Sequence, residues 1–396
     1  MTKLSIADLD LGGRTVLMRV DFNVPIRAGV VDNDQRIVAA LPTIRQALAH
    51  GAAVVLMSHL GRPGGEVKRE LSLRPVAACL AGHLGREVGF VDDCVGAAVT
   101  VDVEAMQPGD VLLLENLRFH PGEENPEREA GFADMLARLG DVYVNDAFGT
   151  AHRAHASMVA VAEHFERRAA GLLLVKELEY FNRALSDPAR PFIAVLGGAK
   201  VSDKILVLQN LLDKIDRLIV GGAMAYTFLR SQGIEVGDSR VEQDKVDLAA
   251  SIVAAAAEKN VDLLLPVDHV CGRAFDAATP PEVVDTAAIP PGRIGLDIGP
   301  VTARVYAQAI AAAGTVIWNG PMGVFEWAAF SAGTMTVARA CAESSALTIV
   351  GGGDSASAAT KSGLADRFDH ISTGGGASLE LLEGKTLPGV AVLSDG

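Results

Sequence analysis

Six glycine-rich segments in the second half of the sequence read as strand ends, four of them directly after short apolar runs. They are Gly197-Gly198-Ala199-Lys200, Gly221-Gly222-Ala223, Gly295-Leu296-Asp297-Ile298-Gly299-Pro300, Asn319-Gly320-Pro321, Gly351-Gly352-Gly353-Asp354-Ser355 and Gly374-Gly375-Gly376. Glycine lets backbone N–H groups approach an anion with no Cβ in the way. A helix that starts there adds the positive end of its dipole. Good helix formers follow Ser355 and Gly376, so both segments read as phosphate sites. Lys200 and Lys204 bracket another expected helix start, a placement that the dipole disfavours unless an anion sits nearby. Asp354, within a phosphate turn, would repel a pyrophosphate unless a cation intervenes. It is the candidate Mg2+ ligand of this half, since Mg2+ takes one or two carboxylates plus phosphate oxygens.

The first half offers cationic side chains instead. Arg19–Pro25, Ser58–Pro63, Glu115–His120 and Ala151–Ser157 each follow or closely trail an apolar run and supply an Arg or His, and Arg36 lies in a polar stretch between the first two. Of the 19 basic residues in positions 1–185, 16 are Arg, and seven of the nine His precede residue 165. Guanidinium presents a planar fork that suits carboxylate and phosphate. Together these residues would form a pocket for a small, doubly anionic molecule.

Familiar nucleotide signatures are missing. Gly384-Lys385-Thr386 lacks the upstream glycine of a Walker A loop, because position 379 is Leu. The protein-kinase H-R-D and D-F-G triplets do not occur. The nearest dinucleotide-type turn, Gly351–Ala356, carries Asp354 where a pyrophosphate would lie. That favours a metal nucleotide over NAD.

The elements that must position these residues are strands. Runs at Thr15–Val20, Ala53–Met57, Val111–Leu114, Val142–Val144, Phe192–Leu196, Leu218–Val220, Leu263–Leu265, Thr315–Trp318 and Leu347–Val350 are too short for core helices. They suit strands buried on both faces of a parallel sheet. Helical stripes lie between them: a helix opened by Asn125-Pro126 and running to Leu139, another over Asp203–Ile215, and an Ala-rich one over Val246–Glu258. Strand–helix alternation predicts an α/β fold of doubly wound parallel sheets. At 396 residues the chain should hold two such lobes. The expected division is 1–170, an interdomain helix over 171–185, and 186–378.

Composition narrows the partners. The net charge is −14, divided −6 over residues 1–185 and −8 over the remainder, so nucleic acid is not the expected partner. No run of about 18 apolar residues predicts a membrane span. The stretch Met1–Leu11 has no apolar core of a secretory signal. Cys79, Cys94, Cys271 and Cys341 have neither zinc-finger nor disulfide-framework spacing, which suits a reducing, cytoplasmic setting. Two other function classes compete at this level: an NAD-dependent oxidoreductase and a non-catalytic two-lobed ligand-binding protein.

Taken in order, RVDFNVP (19–25), SHLGRP (58–63), ENLRFH (115–120), NDAF (145–148), AHRAHAS (151–157), GGAKVSDKI (197–205), GLDIGP (295–300), NGPMGVFE (319–326) and GGGDS (351–355) resemble the phosphoglycerate kinase family along nearly the whole chain. The resemblance implies two Rossmann-like α/β/α lobes joined by a helix, with the tail 379–396 returning to the first lobe. It implies Mg2+-dependent transfer between ATP and 3-phosphoglycerate, giving ADP and 1,3-bisphosphoglycerate, by a monomer. By position, Asp21, Asn23, Arg36, His59, Leu60, Gly61, Arg62, Arg118 and Arg153 would hold 3-phosphoglycerate. Lys204, Gly295, Glu326, Gly352, Gly353, Asp354 and Ser355 would hold the nucleotide, with Glu326 at the ribose and Asp354 on Mg2+. Arg36, Lys200 and Gly375 would surround the transferring phosphoryl group.

Overall fold

Buried β-branched runs without polar alternation must have both faces covered, and that is how they are used. In the computed structural model, which describes residues 2–396, two compact units are present. The first ends at Glu179 and regains Thr386–Gly396, and the second is Tyr180–Lys385. The division falls within the helix Leu172–Ser186. No helix among the described residues is long and apolar enough to cross a membrane.

The first unit is built on a six-stranded parallel sheet. Its spatial order is Gly89–Phe90, Val111–Leu113, Ala53–Met57, Thr15–Arg19, Val142–Asn145, Arg168–Ala170. The central strands pair in register, Thr15 with Ala53 and Arg19 with Met57, so their carboxyl ends finish level. Val16, Met18, Val54 and Leu56 pack with Ile37, Ile44, Val76 and Leu80 of the helices Gln35–Ala49 and Arg74–Leu84. The returning segment is tied to strand ends: Asn145 Nδ2 donates to the Gly389 carbonyl at 2.8 Å, and Leu4 N donates to the Ser394 carbonyl at 2.9 Å. Asp146 accepts from Leu173 N and Leu174 N at 2.9 and 3.2 Å and so caps the helix Leu172–Ser186. Burial raises its pKa to about 7. The NDAF segment therefore has structural work in this unit.

The second unit repeats the design. Its parallel order is Asp262–Leu264, Arg217–Val220, Phe192–Leu196, Thr315–Asn319, Leu347–Gly351, His370–Ile371. Ile193, Val195, Val316, Trp318 and Val350 form its core with Tyr306, Val337 and Ala358. A three-stranded antiparallel sheet, Glu282–Val284, His269–Gly272 and Ile294–Ile298, is added beside it.

Three local expectations need correction. The helix expected from Asn125 to Leu139 is broken into a 3-10 turn at Pro126–Arg128 and a helix at Phe132–Ala137. Asn125 makes no side-chain cap bond, and Gly131 at φ +81° separates the pieces. The helix expected over Asp203–Ile215 is only Ile205–Leu211. Gly295 lies inside an antiparallel strand and not at a parallel strand end. A Cβ there would run into the Tyr226 hydroxyl, so packing explains this glycine.

Candidate active site

In the first unit the central strands deliver their next residues to one edge. Arg36, on the first turn of the helix Gln35–Ala49, donates from one nitrogen to both Asp21 carboxylate oxygens at 3.0 Å and to the Asn23 carbonyl at 3.3 Å. Asn23 Oδ1 accepts from Gly61 N at 3.0 Å, and Arg118 donates to the Gly61 carbonyl at 2.8 Å. Leu60 N donates to Asn116 Oδ1 at 3.1 Å. Arg118 N donates to the same Asn116 Oδ1 at 3.1 Å, so these bonds join Asp21, Asn23, Arg36, Leu60, Gly61, Asn116 and Arg118 into one network. Arg118 is buried and pairs with Glu124 at 3.1 Å, whereas Arg62 and Arg153 are exposed. All three guanidiniums retain donors for a ligand.

His59 is buried, with Nδ1 3.2 Å from Arg19 Nη2. Burial, then the neighbouring arginines Arg19, Arg118 and Arg36, hold its pKa well below the usual histidine value. His155 is held down to about 3 by burial and by Arg118 and Arg19. Both rings are therefore neutral hydrogen-bonding groups at pH 7, and the positive charge of this edge rests on guanidinium.

Motif reading by itself missed the buried support. Arg19 is fully buried, donates to Ser157 Oγ at 2.8 Å and lies 3.8 Å from Glu123 Oε1. Glu123, also fully buried, accepts from Ser157 N and Oγ at 2.9 and 2.7 Å. An Arg ending a strand inside RVDFNVP was the available signal. Nothing local marks Glu123, because its partners are 34 and 104 residues away in sequence.

In the second unit a cavity of ≈ 310 Å³ opens at the carboxyl ends of the parallel strands. Its walls include Gly197, Gly198, Lys200, Lys204, Gly320, Gly352, Gly353, Asp354, Ser355 and Gly375. Gly295 and Glu326 are not among its lining residues. Glu326 is exposed, and its carbonyl receives Lys361 Nζ at 3.4 Å. Two helices start at the cavity, Gly353–Lys361 and Gly375–Leu382, so unpaired N–H groups face its space. Gly320 adopts φ +101°, and a Cβ there would strike the Gly197 backbone. By contrast, a Cβ on Gly353 or Gly375 would meet no protein atom within 4 Å. Packing does not require those two glycines, and the space beside them is open.

Polar groups in this cavity are set for anion and cation alike. Lys204 Nζ donates to Asn319 Oδ1, and burial lowers its pKa to about 8. Ser355 Oγ, buried, accepts from Gly320 N at 2.6 Å. Lys200 is exposed on the rim. The Asp354 carboxylate, on the first turn of its helix, makes no hydrogen bond or ion pair among the described residues. One free carboxylate beside a phosphate-sized space is the donor set that a phosphate-bound Mg2+ accepts.

Fold and geometry define a class: an α/β phosphotransferase, with a glycine-walled backbone site for a nucleotide-like polyanion and an arginine site for a small acid. Comparison with known proteins makes this particular. The family profile described as phosphoglycerate kinase matches residues 6–385. The chain is 58% identical to the phosphoglycerate kinase of Moorella thermoacetica over 100% of both chains. It is 53% identical to that of Clostridium novyi, covering 100% of this chain and 99% of the other. Among solved structures, phosphoglycerate kinase from Coxiella burnetii superposes with a TM-score of 0.89 at 45% identity, and that from Pyrococcus horikoshii OT3 with 0.86 at 33%, each covering 98% of both chains. The chain belongs to the phosphoglycerate kinase family, glycolytic kinases that transfer phosphoryl with a carboxyl group as acceptor.

Proposed function

We propose that this chain, as a cytoplasmic monomer, catalyses reversible Mg2+-dependent transfer of the γ-phosphoryl group of ATP to the carboxylate of 3-phosphoglycerate. The observation that carries the reading is the second unit's cavity, lined by two helix starts, Lys200, Lys204 and an Asp354 carboxylate with no hydrogen bond among the described residues. Free cysteines at all four positions suit a reducing compartment.

Lys204, Gly352, Gly353 and Ser355 hold the nucleotide phosphates. Glu326 completes the nucleotide site at the ribose, whereas Gly295, fixed by its packing against Tyr226, is not assigned a ligand contact. Asp354 would hold Mg2+, which when bound would supply charge neutralisation for the nucleotide phosphates. Asp21, Asn23, His59, Leu60, Gly61, Arg62, Arg118 and Arg153 bind 3-phosphoglycerate. The neutral His59 donates or accepts without adding charge to the arginine cluster. Arg36, Lys200 and the helix start at Gly375 stabilise the three equatorial oxygens in transfer, where charge spreads most. The substrate carboxylate is itself the nucleophile, so no protein nucleophile is needed. The two halves must close on each other to exclude water, which would hydrolyse the acyl phosphate.

A coupled assay with ATP, 3-phosphoglycerate and Mg2+ tests this directly. Turnover is expected, and EDTA should abolish it. No turnover by a folded chain defeats the reading, and calorimetric binding of NADH in preference to Mg·ADP would replace it with a dinucleotide one. Light scattering should give the monomer mass.

A further inference from the structure

Asp34, Cys79 and His83 lie outside every residue assigned to catalysis, yet one ligand atom from each falls within 4.8 Å of the other two. Cys79 and His83 are spaced i, i+4 on the helix Arg74–Leu84 and so share a face. Asp34 stands at the N-cap position of the helix Gln35–Ala49, where an Asp normally accepts from the helix backbone. Here it makes no cap bond. The Gln35 N–H is taken instead by Asn33 Oδ1 at 3.0 Å, and the Asp34 carboxylate turns to His83 Nε2 at 2.8 Å. All three residues are partly exposed, so an ion can enter from solvent.

The second cluster of this composition, Asp93, Cys94 and His120, differs in a way that decides between them. Both nitrogens of His120 are engaged at 2.8 Å, with Glu129 and Asp93, and Cys94 is fully buried. That cluster is already satisfied by the protein.

We propose that Asp34, Cys79 and His83 form a binding site for a zinc-class transition-metal ion, with the fourth tetrahedral position open to water. A thiolate, an imidazole and one carboxylate are the donors that zinc takes at about 2.0–2.3 Å, which places neighbouring ligand atoms roughly 3.3–3.7 Å apart. Side-chain rotation closes a spacing of up to 4.8 Å to that value. Mg2+ and Ca2+ prefer all-oxygen sets and are poor matches. On binding, the proton that His83 Nε2 shares with Asp34 is passed through solvent to Nδ1 so that the Asp34–His83 hydrogen bond is replaced by two metal bonds, and the Cys79 thiol releases its proton to solvent as the sulfur–metal bond forms. The ion would staple the helix Arg74–Leu84 to the segment just ahead of Arg36.

The full, reduced chain is titrated with Co2+ and then Zn2+, free of Mg2+ and nucleotide. About one equivalent of Co2+ should produce a thiolate-to-cobalt charge-transfer absorption that Zn2+ removes, and Zn2+ should raise the melting temperature. Cys79→Ser should abolish the absorption. Asp34→Asn and His83→Ala should each weaken affinity by roughly tenfold or more, since even partners behind a ligand are worth that much. Cys94→Ser should change nothing. The proposal is overturned if the native chain shows no thiolate absorption, if the absorption survives Cys79→Ser, or if Cys94→Ser removes it. Circular dichroism of each variant separates lost binding from lost folding.

Discussion

In the first unit the cationic side chains are fixed by partners already in the protein. Arg19 is held by Ser157 and Glu123, Arg36 by Asp21, and Arg118 by Glu124 and the Gly61 carbonyl. In the second unit the donors are chiefly backbone N–H groups at two helix starts, with two lysines beside them. On the proposed function, the difference follows from ligand chemistry. A small acid is recognised by a rigid constellation of forks, whereas a polyphosphate needs close approach along its length, which only Cβ-free backbone allows. One site keeps its charges in place through paired counter-charges, of which Glu123 is fully buried; the other keeps its space through glycine.

The largest expected effect breaks the first strategy at its root. Arg19→Met leaves Glu123 buried without its ion-pair partner, and removing one member of a buried pair costs about 3–5 kcal/mol. Urea unfolding of the first unit should show that loss. Adding Glu123→Gln should recover much of it, and if the double variant is no more stable than the single, the pairing argument fails.

Next is Arg36→Ala. The guanidinium is only partly buried beside Asp21, and in the proposed mechanism its charge matters most in transfer. The expected loss in kcat is about 10²–10³, the scale of a single transition-state donor, with much smaller changes in either substrate's KM. A near-normal kcat would remove Arg36 from the catalytic group.

The second strategy is broken by one methyl group. Gly353→Ala adds a Cβ that meets no protein atom, so helix propensity should leave stability unchanged or raise it by up to about 1 kcal/mol. Yet the same methyl enters the space claimed for phosphate, where one carbon is worth about tenfold or more in affinity. Calorimetry with Mg·ADP should therefore show weaker binding in a protein that is no less stable. Equal nucleotide affinity would mean that the phosphates lie elsewhere.

The two strategies also differ in how far they could be read from sequence. Glycine runs and strand-end arginines were visible because strand, turn and helix start are local. Every central strand stood out as an apolar run, and Val246–Glu258 was found as a helix to the residue. The short edge strands Gly89–Phe90, Arg168–Ala170 and His370–Ile371 were not, since two or three residues carry no period. The antiparallel addition around His269–Gly272 went unseen because its residues do not alternate cleanly. Glu123 and Asn116 escaped for a different reason: their partners are brought in by the sheet, and no local pattern announces a buried hydrogen bond to residue 157 or 60.

The smallest effect sharpens the comparison inside the first unit, which holds histidines of opposite character. His155 has a folded pKa near 3, below its unfolded value, because burial and then Arg118 and Arg19 disfavour its charge. The unfolded chain binds the extra proton, so stability falls as pH drops from about 6.5 toward 3. His120 is the reverse: its burial opposes charge, but hydrogen bonds to Glu129 and Asp93 outweigh it and raise the pKa. Its contribution is fully present below the unfolded pKa and is lost as pH rises through the folded one. His155→Asn should therefore flatten the acid limb of the stability curve, by about 1 kcal/mol at pH 5 after allowance for solvent screening. His120→Asn should cost more stability at pH 6 than at pH 9. If both variants shift the curve in the same direction, the neutral state assigned to the buried histidine beside the arginines is wrong, and with it the view that this site draws its charge from guanidinium alone.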